Sequence, residues 1–552
     1  MMNVKQHIKT NNMEKRLIMG LMLLMAFSVG TMAQTKKNKK STAQLSKQYV
    51  QYAKDKAKGK EKLAEKKASD PATVTREKGD TTVKEKPRTF EDAYNEFKQQ
   101  AKADYENFRD KVNREYAEFV KEAWEQHKVM PAMPKPKDEN IPPVEMDEKE
   151  KNKPKKDNPL PIEEVVTPTV PEPQPVPIAP IREQPQPQEK WTSFMVYGTE
   201  MKVRFSDDEW FDMKDCSEET VSDIWKRLSG IAYNNTIRDC LELRITKKLS
   251  DWAYLNMLNK MAEACLGKGN AATLLMAYVY CQSGYQMRLA RAGNRLCMLY
   301  GTKHCIYGKG FFNIDGEDYY SFNGEEKNVE ICKVAFPNEK PLSLLIPQQQ
   351  GFAVEKSAER ILTSKRYGDM QVKVCANKNL MTFYNDYPSS MLDFNFMTRW
   401  AMYANTPLEN TAREALYPAL REKLKGKNEL EAVERLLNWV QTAFVYEYDD
   451  KVWGCDRAFF AEESLYYPYC DCEDRSILFS RLVRDLLGLK VVLVFYPGHL
   501  ATAVHFNSDV TGDYIMLDGV RYTVCDPTYI NAPVGSTMPR MDNSKAKVIL
   551  LE

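Results

Sequence analysis

Cysteine is absent from the first 215 residues of this 552-residue chain; all twelve lie at or after Cys216. No disulfide framework is therefore available to the N-terminal third, and no cysteine follows the early apolar run to carry a lipid anchor. Histidine is scarcer still: there are five, and after Val129 only His304, His499 and His505. Aromatic residues are nearly missing from residues 34–88, which hold two tyrosines, seventeen Lys/Arg and seven Asp/Glu, an excess of ten positive charges. Such a segment cannot build a core and reads as a basic, disordered stretch, with a solvated linker favoured over any nucleic-acid or lipid partner. After residue 30 no apolar run reaches membrane-spanning length, so no transmembrane span is expected in the mature chain.

What is present falls into blocks. Lys15 and Arg16 precede "LIMGLMLLMAFSVG", which ends at Thr31-Met32-Ala33. A charged start, a short apolar stretch and a small-residue end form the pattern of a secretory signal peptide, residues 1–33, cleaved near Ala33. The expectation is an exported protein of the bacterial periplasm or surface. Residues 89–130 carry an eleven-residue repeat: Tyr94, Tyr105, Tyr116; Phe97, Phe108, Phe119; Ala101, Val112, Ala123. Eleven residues make about three helical turns, so the spacing predicts one long helix with an aromatic stripe. That stripe must be buried by self-association or by docking. Sixteen of the 29 prolines lie between Pro131 and Pro187. Residues 131–190 thus read as an extended Pro-rich linker.

From Trp191 the pattern turns globular and α+β. Residues 191–336 and 425–552 share one order: helix, Gly stop (Gly284, Gly488), two strands, an Asp-Gly hairpin turn (Asp315-Gly316, Asp518-Gly519), and a strand. We read this as an internal duplication, with residues 337–424 connecting the copies.

The reactive residue types sit in the second copy. "CDCEDRSILFSRLVRDLLG" predicts a helix capped by Asp471, with Asp474 at capping-box spacing. Cys472 then falls in the first turn, where free N–H groups favour a thiolate; Cys470 falls outside. Glu473 and Asp474 oppose this unless they turn away or pair with Arg475 or Arg481. His499 heads the strand "HLATAVH". His505 shares its face roughly 20 Å further on, at ~3.3 Å per residue. Asp526 ends the next strand, before Pro527, in position to orient His499. A metal site built from Cys470, Cys472, His499 and His505 fails on this distance and on the Cys-x-Cys spacing, so no metal and no cofactor is expected.

A Cys at a helix start, a His at a strand start and an Asp before "PTY" together resemble the transglutaminase-like superfamily of papain-like thiol enzymes. The resemblance covers roughly residues 425–540. It implies a papain-like α+β core with Cys472 as nucleophile, His499 as general base and acid, and Asp526 as orienting residue. It implies a cysteine peptidase, amide hydrolase or acyltransferase acting on a peptide or protein substrate through a thioester on Cys472. Trp453 and Tyr469 are candidates for the further oxyanion donor. In the first copy, counting from the same landmarks places Lys268, His304 and Asn323 where the second has Cys472, His499 and Asp526, so that copy reads as catalytically degenerate. The alternative is an inactive cell-envelope scaffold or binding protein that uses both copies and the aromatic helix.

Overall fold

The computed structural model describes residues 107–137, 141–151, 153–167, 174–185, 189–324 and 326–552. The expected signal peptide, the basic segment and the first two tyrosines of the repeat lie outside these residues. The stripe is visible in helix α1 (107–120), where Val112 and Tyr116 are buried. The Tyr116 ring lies 4.6 Å from that of Trp225 and 5.7 Å from that of Phe336. Asn113, fully buried beside it, accepts from Trp225 Nε1 at 3.2 Å and from Gln282 Nε2 at 2.9 Å. The stripe therefore docks on the first α+β half. The expected helix to residue 130 needs correction: α1 stops at 120, Phe119 is 55% exposed, and Trp124–Lys128 is a strand, β1. That strand pairs its full length with Asn328–Cys332, which satisfies backbone groups that a protruding helix end leaves to water.

The body is α+β. In its first half, helices α2 (Asp251–Leu266) and α3 (Asn270–Gln282) pack together, and α3 lies on a sheet. The strands are β4 (Met287–Ala292), β5 (Arg295–Gly301), β6 (Phe312–Ile314), β7 (Glu317–Ser321) and β8 (Asn328–Cys332). They are ordered β1-β8-β4-β5-β7-β6, all antiparallel. In the second half, α4 (Glu429–Ala443) packs on α5 (Cys472–Leu487), and α5 lies on β10. The strands are β9 (Val491–Tyr496), β10 (His499–Val504), β11 (Asp513–Leu517), β12 (Val520–Cys525) and β13 (Lys547–Ile549), with central order β13-β9-β10-β12-β11. Helix and strand positions correspond between the halves: last, first, second, fourth, third.

The register agrees as well. Ala292 faces Arg295 as Tyr496 faces His499; Ile314 faces Glu317 as Leu517 faces Val520. Across the sheet, Leu299 faces Ser321 as Ala503 faces Val524. Both Asp-Gly turns have positive φ at both residues, 53° and 89° in one and 47° and 79° in the other, the left-handed pair that suits a two-residue hairpin. These matches put Asn323 level with Asp526. They put Arg295, not His304, level with His499. The first position of α3 is Asn270, not Lys268.

The Pro-rich stretch is not a free spacer. Strands β2 (Asn158–Pro159) and β3 (Glu164–Val166) add in parallel to β11 and β13, one at each edge of the second sheet. Edge positions tolerate proline because one side of the strand needs no N–H donor. Leu160, between them, is buried in one apolar cluster with Val494, Ala501, Ile515 and Val524.

Candidate active site

Helix α5 begins where its sequence requires. Asp471 is the N-cap, its own N–H donates to Asp474 Oδ2 at 3.2 Å, and Gly488 closes the helix in the left-handed conformation at φ 69°. Ile477, Leu478, Phe479, Leu482 and Val483 are each at most 1% exposed. At about 1.5–3 kcal/mol per large apolar side chain, this face anchors the helix by roughly 10 kcal/mol before entropy is counted. Ser476 Oγ donates to the Leu500 carbonyl at 2.8 Å and fastens the first turns of α5 to the start of β10.

His499 opens β10 after Pro497-Gly498, and Asp526 follows the last residue of β12. His499 Nε2 lies 2.9 Å from Asp526 Oδ2, with both side chains 1% exposed. A carboxylate only accepts, so the bond holds the proton on Nε2 and leaves Nδ1 as the ring's lone-pair nitrogen. Asp526 Oδ1 accepts from Thr528 N–H at 2.8 Å and Tyr529 N–H at 3.2 Å. Gln441 Nε2 donates to the carbonyls of Asp526, Tyr529 and Ala532 at 2.8–3.1 Å, which fixes the turn carrying the carboxylate. Gln441 was not anticipated; it is one of several polar residues on the amphipathic helix α4, and nothing in its spacing set it apart.

Cys472 is half-buried at the first position of α5. Ser476, one turn further along, is bonded to the Leu500 carbonyl, so the thiol lies at the end of α5 that packs on the start of β10, where His499 stands. Its S–H donates to Glu473 Oε2 at 3.2 Å. Burial pushes the thiol well above its ordinary range, Glu473 and Asp471 push it further, and only the Leu500 N–H opposes them. Of the acidic neighbours, Glu473 does not turn away, since it accepts from the thiol S–H, whereas the buried Asp474 accepts from the Phe459 and Asp471 N–H groups. Nor do the expected arginines pair with them. Arg475 donates to the carbonyls of Gln441 and Phe444, and Arg481 pairs with Asp485. Buried peptide carbonyls and one aspartate have taken the two guanidinium groups.

Of the two candidate oxyanion donors, Tyr469 is 41% exposed, and Trp453 meets Tyr467 (4.9 Å) and Phe459 (5.8 Å) edge to face. Tyr446 is the aromatic residue whose hydroxyl responds to Cys472: burial first, then the Cys472 thiolate, raises it. It lies in "FVYEYD", just before the site, and sequence spacing alone did not single it out. Cys470 is buried, and all twelve cysteines are free thiols, nine of them buried. His505 Nδ1–H donates to the Arg521 carbonyl at 3.0 Å, beyond the far end of β10.

The level positions of the first half form a different arrangement. Arg295 donates to the Asn323 carbonyl at 2.6 Å, and Asn323 Nδ2 donates to Thr273 Oγ1 at 3.0 Å. A cavity of about 170 Å³ opens there, lined by Asn270, Thr273, Arg295, Asn323 and Glu263. His304 is elsewhere, buried between Ser390 Oγ (3.2 Å) and Leu344 N–H (3.1 Å), and burial lowers its pKa to about 3. Comparison with protein-family models, curated proteins and solved structures finds no match to this chain.

Proposed function

We propose that the C-terminal half is a cysteine-dependent acyl-transfer enzyme of transglutaminase-like type with a papain-like core, acting on peptide or isopeptide amides outside the cytoplasm. The observation that carries this reading is the buried His499–Asp526 pair at 2.9 Å, at the start of the strand to which the Ser476–Leu500 bond ties the first turns of α5, where Cys472 lies. In this mechanism His499 Nδ1 takes the thiol proton and the sulfur attacks the amide carbonyl. The proton passes to the departing amine as the C–N bond breaks, leaving a thioester. Water then replaces the sulfur, with the proton returned to Cys472. The first N–H groups of α5 face the developing oxyanion. Export rests on the Lys15–Ala33 pattern.

We read the two halves as copies of one ancestral unit, supported by their common strand order and register. The first copy lacks a thiol, an imidazole and a carboxylate at the level positions, so it serves packing or binding.

A thiol-directed amide-mimic probe tests the catalytic assignment. Cys472→Ala is expected to abolish labelling and Cys470→Ala to retain it; the reverse result overturns the assignment. Turnover of the substrate is expected to fall at least ~10²-fold in His499→Ala and to persist in His505→Ala. The second reading, an inactive scaffold, is favoured by one observation: the thiol is directed at Glu473 Oε2, 3.2 Å away, and burial together with Glu473 and Asp471 disfavours its thiolate. Absence of labelling in the folded wild type supports it.

A further inference from the structure

Next to Cys472 the fold gathers five buried carboxyl groups, one of which, Asp449, accepts from the Arg457 N–H at 2.6 Å. Asp449, Asp456, Asp471, Glu473 and Asp474 are each at most 8% exposed. They come from two short segments, 449–456 and 471–474. Carboxylate oxygens of Asp449, Asp471 and Asp474 all lie within 4.8 Å of one another, and so do those of Asp449, Asp456 and Glu473. Arg399 is held bidentately by Asp456. Arg457 pairs with Glu463, and Arg475 is turned to main-chain carbonyls. A second observation points to a ligand: Asp471 is 1% exposed, yet its Oδ1 has no hydrogen-bond partner. A buried acceptor left so is costly unless something positive meets it.

We propose that Asp449, Asp471 and Asp474, with Glu473 alongside, bind a hard divalent cation beside the thiol. The donors are oxygens from carboxylates, which suits a Ca²⁺- or Mg²⁺-like ion better than a thiolate-preferring metal. Such an ion ties the 449–456 segment to the start of α5. The site stands independently of the thiol chemistry.

Titration calorimetry of the full chain, stripped with chelator, with CaCl₂ and then MgCl₂ tests this. One site is expected, weakened at least tenfold in Asp471→Asn, which keeps an N-cap, and in Asp449→Asn. Cys472→Ala is expected to bind the ion as wild type does, which separates this site from the catalytic reading. A measurement on unmodified protein covers the case in which the variants misfold: Tb³⁺ luminescence excited through aromatic side chains, displaced by CaCl₂. Absence of both binding heat and displaceable luminescence in folded wild type overturns the proposal. So does affinity unchanged in both folded variants.

Discussion

Glu462 carries a pH dependence that can be read from its surroundings. Its carboxyl is 1% exposed and is pushed up to about 8, first by burial and then by Glu409 and Glu463, against the Glu409 N–H it accepts from. The folded state thus keeps a proton that the unfolded chain releases near its ordinary pKa of 4.5. With more protons bound in the native state, this group's contribution to stability falls as pH rises from about 5 to about 8. Glu462→Gln keeps the acceptor and removes the titration. The melting temperature of the variant is expected to decline less than that of wild type over that range in thermal scans. A steeper decline refutes the assignment. The same scale shows where sequence reading stopped. Cys472, His499 and Asp526 stood out because chemistry limits which residue types can do their work. The environment of Glu473 and Asp474 did not, because burial of an acidic pair is decided by segments such as 449–456 that fold over it.

At the scale of elements, α1 offers a contrast within one repeat. Tyr116 is packed against Trp225 and Phe336, whereas Phe119, three residues on, is 55% exposed. Tyr116→Ala is expected to cost about 3–5 kcal/mol, as large aromatic truncations in cores do. Phe119→Ser is expected to change stability by less than about 0.5 kcal/mol. Urea denaturation of the two variants measures both, and similar losses would falsify the docked orientation of α1. Helix α5 was legible from its caps, Asp471 and Gly488, because capping is local chemistry. The end of α1 was not: the repeat runs on to Ala123, but β8 offers Trp124–Lys128 a ladder, and tertiary pairing outweighs periodicity. Likewise, counting from landmarks missed Arg295, since register belongs to the sheet and a loop insertion shifts any count.

For the whole molecule, the chain order of helix, glycine stop, strands and Asp-Gly hairpin common to the two halves was legible in the sequence, but the order of the strands within each sheet was not. Neither was the part played by residues 141–167, since proline-rich composition reports an inability to make a core, not an inability to border one. Deleting residues 153–167 uncovers the N–H and C=O groups of β11 and β13 and leaves the side chains around Leu160 open. Bare sheet edges pair with one another, so the deletion is expected to lower the melting temperature and raise light scattering on warming. A monodisperse variant of unchanged stability would count against the pairing.

The two border strands also set a limit on shape. Seven strands laid flat at about 4.8 Å place the outer ones roughly 29 Å apart. Yet β2 ends at Pro159 and β3 begins at Glu164, and five residues reach about 18 Å at most. The sheet must roll until its margins approach, like a sleeve drawn together by one stitch, with Leu160 inside the roll. The stitch joins Glu164 to Lys547 across 383 residues. It closes only after the last strand has been made, so the sleeve around the His499 strand is completed by a contact between an early segment of the chain and one of its latest.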